Sequence, residues 1–82
     1  MNESQIQERV QSLLYKKAEQ IIESITDQER ARLERAGWVL DLEEVFRALW
    51  KTISEHYDHK PFTLKQTKVD LKKITKKELF DL

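Results

Sequence analysis

The sequence predicts an all-α fold: a small helical bundle of three main helices plus a basic C-terminal segment with a short final helix. Three observations carry that expectation. Apolar residues recur at steps of three and four over residues 6–25 and 42–57. Cap-like runs with an acid three residues on stand at Thr26, Asp41 and Thr75. The one Gly and the one Pro fall outside these periodic stretches, where helices stop.

The first 25 residues read as one long amphipathic helix. Ile6, Val10, Leu13, Leu14, Ala18, Ile21, Ile22 and Ile25 form its stripe, and Glu8, Arg9, Lys16, Glu19 and Glu23 lie largely off it. A core-facing helix is the simple account of such a stripe. Its length for so small a core also suits a dimerisation helix.

Thr26-Asp27-Gln28-Glu29 is a capping box for a second helix, short and polar. Gly37 can take the left-handed conformation that closes it, and Trp38 is placed to touch Leu33 across the stop. For the third helix, Asp41 is the N-cap with Glu44 three residues later, and Leu40 with Val45 is spaced as a hydrophobic staple. Leu42, Val45, Phe46, Leu49, Trp50, Ile53 and Tyr57 then make a wide apolar face. Glu43, Arg47, Lys51 and Glu55 form a solvated row of intrahelical ion pairs, each contributing about 0.3–0.5 kcal/mol. Pro61 bars Lys60 from the helical region and ends the helix.

Beyond Pro61 two conformations compete for residues 63–73. A Thr63 cap with Leu64, Thr67 and Leu71 on one side favours a helix, whereas Thr67, Val69 and Leu71 alternate like a strand. A lone strand has no partner in a helical chain, so helix or irregular structure is expected. Thr75-Lys76-Lys77-Glu78, with Ile74 and Leu79 flanking it, starts the final helix.

Charge divides the chain more sharply than hydropathy does. Residues 1–59 hold 8 Lys+Arg against 12 Asp+Glu, and residues 60–82 hold 7 Lys against 3 acids, so a net charge of zero conceals parts of −4 and +4. We read residues 1–59 as an acidic three-helix core and 60–82 as a basic segment of the same single domain. Segregation of this kind concerns partners more than fold. Charged residues are 37% of the chain, above the roughly 25% of average globular domains, and apolar residues 39%. So small a core leaves little stability margin, which favours a second copy or a partner.

Composition excludes several chemistries. Without Cys there are no disulfides, thiolate metal sites or Cys nucleophiles. One Gly cannot build a phosphate-cradling loop, and Ser4, Ser12, Ser24 and Ser54 lack a nucleophile context. Neither enzyme activity, cofactor nor small-molecule substrate is expected. No apolar run approaches a membrane span and the N-terminus does not read as a secretory signal, so a cytoplasmic location without membrane association is expected.

A helix-turn-helix is suggested by the short helix, Gly turn and second helix, but Asp41, Glu43 and Glu44 would lead the recognition helix into phosphates. Those acids suit the helix dipole instead. His56 and His59, one turn apart, could face one ion, yet no third ligand is identifiable and a polar helix end explains them. No metal site is expected.

The lysines remain. Lys60, Lys65, Lys68, Lys72, Lys73, Lys76 and Lys77 face only Asp70 in their stretch, and Lys65, Lys68, Lys72 and Lys76 share a helical face. They are candidates to bind nucleic acid or an acidic partner; equally, they can dock on the chain's own acidic helices or simply solvate the surface. Lys gives point charge without bidentate base readout, so nucleic-acid binding would be sequence-tolerant. The function expected from all of this is a small non-enzymatic interaction or regulatory module. It would associate with itself, as a homodimer, or with another protein through helix faces. Ile6, Val10, Leu13, Phe46 and Trp50 are the interface candidates wherever the stripes stay exposed. The alternative is a nucleic-acid accessory protein using the lysine cluster.

Overall fold

The computed structural model describes residues 2–56 and 63–82. Among them the chain is all-α, with five helices: α1 (Glu3–Ser24), α2 (Asp27–Arg35), α3 (Leu42–His56), α4 (Leu64–Lys73) and α5 (Lys76–Phe80). Helix α1 is the shared element. It packs on α3 along one side and on α4 along the other, and α5 closes against α3. The α1–α3 pair is antiparallel, since Tyr15 meets Glu43 while Gln11 lies near Trp50. The α1–α4 pair is parallel: Arg9 adjoins Leu64, and Lys17 adjoins Lys72.

The stripes predicted for α1 and α3 form the centre of the core. Val10, Leu14, Ala18 and Ile21 of α1 meet Val45, Leu49 and Ile53 of α3, all buried. Ile25, Leu33, Leu71, Ile74 and Phe80 complete the same cluster, so the basic C-terminal segment contributes to the hydrophobic core as well as to the surface. Truncating a fully buried Leu14 or Leu49 to Ala would cost about 2–5 kcal/mol, several times a surface ion pair. Packing therefore decides this fold, and the charges refine it.

The helix ends follow their cap residues. Thr26 and Glu29 make the full reciprocal box, with bonds of 3.2 and 3.0 Å. Helix α2 stops at Gly37, at φ +97°, with the Trp38 N–H donating to the Leu33 carbonyl and the Gly37 N–H to that of Glu34. The Trp38 ring is met by Phe80 in an edge-to-face contact with centroids 4.8 Å apart, a pairing that links the α2 stop to the last helix. At Asp41 and Thr75 only half of each box forms. Each side chain accepts from the backbone N–H three residues on. The Glu44 carboxylate instead lies 3.6 Å from Arg47, and that of Glu78 lies 3.8 Å from His56. One further box, Asn2 with Gln5 at the head of α1, uses uncharged side chains for the same reciprocal bonds.

The row of intrahelical pairs expected along α3 is also rearranged. Glu43, Arg47, Lys51 and Glu55 are exposed, but Glu43 accepts from Tyr15 across the helix interface, leaving Arg47 to Glu44. Residues 64–73 are helical. Thr63 caps the helix, and the buried Thr67 hydroxyl donates to the Thr63 carbonyl at 2.8 Å. A strand would place Thr67, Val69 and Leu71 on one face. The helix buries Thr67 and Leu71 and leaves Val69 40% exposed. Tyr57, and the stop expected at Lys60 and Pro61, lie outside the described residues.

One polar junction ties the C-terminal segment to the rest. The Lys76 ammonium donates to Glu29 Oε1 at 2.7 Å and to the Ser24 carbonyl at 2.6 Å. It thereby joins the end of α1, the cap of α2 and the first turn of α5. The Lys76 bond, then the Thr26 backbone N–H, hold the Glu29 carboxyl down at about 2, well below its ordinary 4.5. A depressed carboxyl stabilises the fold above its unfolded value, and that contribution fades as pH falls from 4.5 toward about 2. Replacing Lys76 with Met should return the Glu29 titration toward 4.5 and flatten the acid limb of stability. Carboxyl NMR titration, with urea melts at neutral and acid pH, checks both; an unmoved Glu29 would show that Lys76 does not hold it.

Candidate interaction surfaces

The five apolar interface candidates do not share a surface. Val10 is fully buried in the core and has nothing to present. Ile6 and Leu13 are half-buried against the core. Leu13 lines the α1–α4 seam, whereas Phe46 and Trp50 lie along α3. A one-dimensional stripe hides this difference, because α1 is gripped from two sides and each of its rows goes to a different neighbour.

Phe46 and Trp50 belong to an aromatic row that α1 completes. Tyr15 stacks on Phe46 with centroids 4.1 Å apart and planes 9° from parallel, and Phe46 lies 6.1 Å from Trp50. All three rings are half-buried. Gln11 and Arg47 flank a shallow cleft beside Phe46 and Trp50. The Tyr15 hydroxyl donates to Glu43 Oε1 at 2.9 Å. That bond stabilises the protonated phenol, and partial burial and the negative charge of Glu43 add to it, so the Tyr15 pKa is raised above 10.0. Tyr15 was visible in the sequence but outside the apolar stripe, and nothing in its spacing pointed to α3.

The lysines separate into two groups. Lys68 and Lys72 line the α1–α4 seam, and Lys76 closes its far end while bound to Glu29. For Lys76 this is the self-docking arrangement, made with an acid of α2. Lys65, Lys73 and Lys77 are exposed and do not line the seam. Lys60 lies outside the described residues. The face expected to hold Lys65, Lys68, Lys72 and Lys76 is broken by the end of α4 at Lys73, after which Lys76 starts its own helix.

The opposite wall of the seam is basic too. Arg9, Lys16 and Lys17 of α1 stand across from Lys68 and Lys72, above an apolar floor of Leu13, Leu64 and Leu71. Three adjoining hollows follow the seam, and among the described residues no carboxylate lines any of them. The block-wise charge count assigned Arg9, Lys16 and Lys17 to the acidic part. Their spacing with Leu13 and Gln20, at steps of three and four, was the available signal for a shared flank.

His56 sits at the exposed end of α3 beside Glu78, and His59 lies outside the described residues. Among the described residues no three His, Cys, Asp or Glu side chains come together as metal ligands. Among the described residues no helix is long and apolar enough to cross a membrane.

Because the raised Tyr15 pKa rests first on the Glu43 bond, Glu43→Gln should lower it toward 10.0. In the intact chain a raised phenol stabilises the fold below its unfolded value, and the contribution is lost as pH rises through the folded one. Ultraviolet titration in a Tyr57→Phe background reads the shift directly. A Tyr15 titration indifferent to Glu43→Gln would mean that the α1–α3 bond does not hold in solution.

No family model matches this chain, and no curated protein or solved structure is found similar to it.

Proposed function

We propose that the protein is a small non-enzymatic interaction or regulatory module that associates through the helix faces flanking α1. The observation that carries this reading is the aromatic row Tyr15, Phe46 and Trp50, half-open after the core is complete. Aromatic side chains have large contact area and few rotamers to freeze, and they dominate protein interfaces. The surroundings suit a second copy. Glu43, Glu44 and Arg47 lie on the same helix as Phe46, so the patch bears both charges. A two-fold contact can then set Arg47 of each copy against the acids of the other. The small polar core supplies the reason to associate.

A second reading, sequence-tolerant nucleic-acid binding, draws support from the exposure of Lys65, Lys68, Lys72, Lys73 and Lys77. The aromatic row favours the first reading, because its rings stack on one another across the α1–α3 interface and none of these lysines lines the cleft beside them.

The test is sedimentation equilibrium of the full chain from micromolar to millimolar concentration. A reversible dimer is expected, weakened about tenfold or more by Phe46→Ala and by the surface change Arg47→Glu. Circular dichroism confirms that the variants fold. A folded chain that stays monomeric throughout, or a dimer indifferent to both changes, would remove the aromatic face as its interface.

A further inference from the structure

The basic seam supports a more specific conclusion, which rests on the interaction-module reading and names a partner class for it. We propose that the trough between α1 and α4 docks an acidic amphipathic helix of another protein. Carboxylates of that helix would meet the cations on the rim, and its apolar side chains would meet the leucine floor.

The cations come from both walls. Arg9, Lys16 and Lys17 stand on α1, and Lys68 and Lys72 on α4. Among the described residues no acid lines the hollows to neutralise them, so a ligand there meets one sign of charge on both sides. Between the walls Leu13, Leu64 and Leu71 form a surface that offers no hydrogen bond. From Arg9 to Gln20 the α1 wall runs about 16 Å, or three turns of a docked helix, at the ordinary rise per residue. At the C-terminal end the chain shows the same recognition chemistry internally: Lys76, which lines the third hollow, holds the Glu29 carboxylate at 2.7 Å.

Those features favour an acidic helix over a nucleic-acid backbone. Single strands bind where bases can stack, and among the described residues no aromatic side chain lines the three hollows. Phosphates have no use for a leucine floor, whereas the Leu or Ile side chains of an amphipathic helix lose water against it. Four of the five rim cations are lysines, whose long stems can flank an apolar ligand while the ammonium reaches its carboxylates.

The experiment uses the full chain and fluorescent probes of defined chemistry. One is a helical peptide with Leu on one face and Glu on the flanks; a second has the same composition with the Leu positions scrambled. Labelled duplex and single-stranded DNA complete the set. Fluorescence anisotropy should show the patterned peptide binding about tenfold or more tighter than the scrambled one. Lys16→Glu with Lys68→Glu should weaken it by at least about tenfold, and the paired Gln changes by less, with the thermal midpoint kept. Equal binding of both peptides, absence of binding to folded protein, or DNA binding tighter than the patterned peptide and lost with the same lysine changes would each overturn the proposal. Self-association is measured on the same samples. A dimer that persists while the peptide fails overturns the trough alone, and peptide binding by a strict monomer overturns the aromatic interface alone.

Discussion

Every other element depends on α1 being held from two sides. Its buried row of Val10, Leu14, Ala18 and Ile21 belongs to a single core, but α3 and α4 do not touch it in the same way. Helix α3 runs antiparallel and brings the wide face Val45, Leu49 and Ile53. Helix α4 runs parallel and buries only Thr67 and Leu71. Consequently one flank of α1 becomes an aromatic interface and the other a lysine-walled trough. With α1 between them, the two proposed docking surfaces share no lining residue.

The thinner contact is the one that needs help. Helix α4 is polar and only ten residues long, a length that is marginal alone. Its attachment draws on the Ile74 and Phe80 anchors that follow it and on the Lys76 junction with Ser24 and Glu29. That junction is partly accessible to water, so its strength is modest beside the buried aliphatic contacts. Its role is positional: one ammonium joins three chain segments that the core already anchors. Because Lys76 satisfies a terminal carbonyl of α1 as well as a carboxylate, a hydrophobic side chain of that size would leave the Ser24 carbonyl to water and Glu29 to its Thr26 bond alone.

Most of the helices were legible in the sequence because they rest on local physics. The Thr26 box, the Gly37 stop and the Thr63 cap need only neighbouring residues, and each forms where its pattern stands. The aliphatic stripes of α1 and α3 are equally local. What the sequence withheld was the pairing of distant groups. Glu43 meets Tyr15 twenty-eight positions away, and Lys76 meets Glu29 across forty-seven. No periodicity encodes such contacts, and they redirect side chains from the intrahelical partners that spacing suggests. Val10 illustrates the same limit, since a stripe residue looks alike whether it faces its own core or a second chain.

Charge was read correctly in total and incompletely in space. Counting along the chain made the first 59 residues acidic, and in number they are. A helix, however, sorts its charges by angle. Arg9, Lys16 and Lys17 leave the acidic block and join Lys68 and Lys72, because steps of seven and eight residues return to one flank of α1. Five cations across a seam raise the local potential more than either row alone, for the field of each wall adds in the space between them. The arrangement also carries a cost. Like charges facing one another repel, and α1 and α4 are kept together against that repulsion by Thr67 and the leucine floor. A ligand carboxylate placed between the walls would relieve the repulsion as it binds. Occupancy of the trough should therefore tighten the contact between α1 and α4, coupling partner capture to the order of the C-terminal segment.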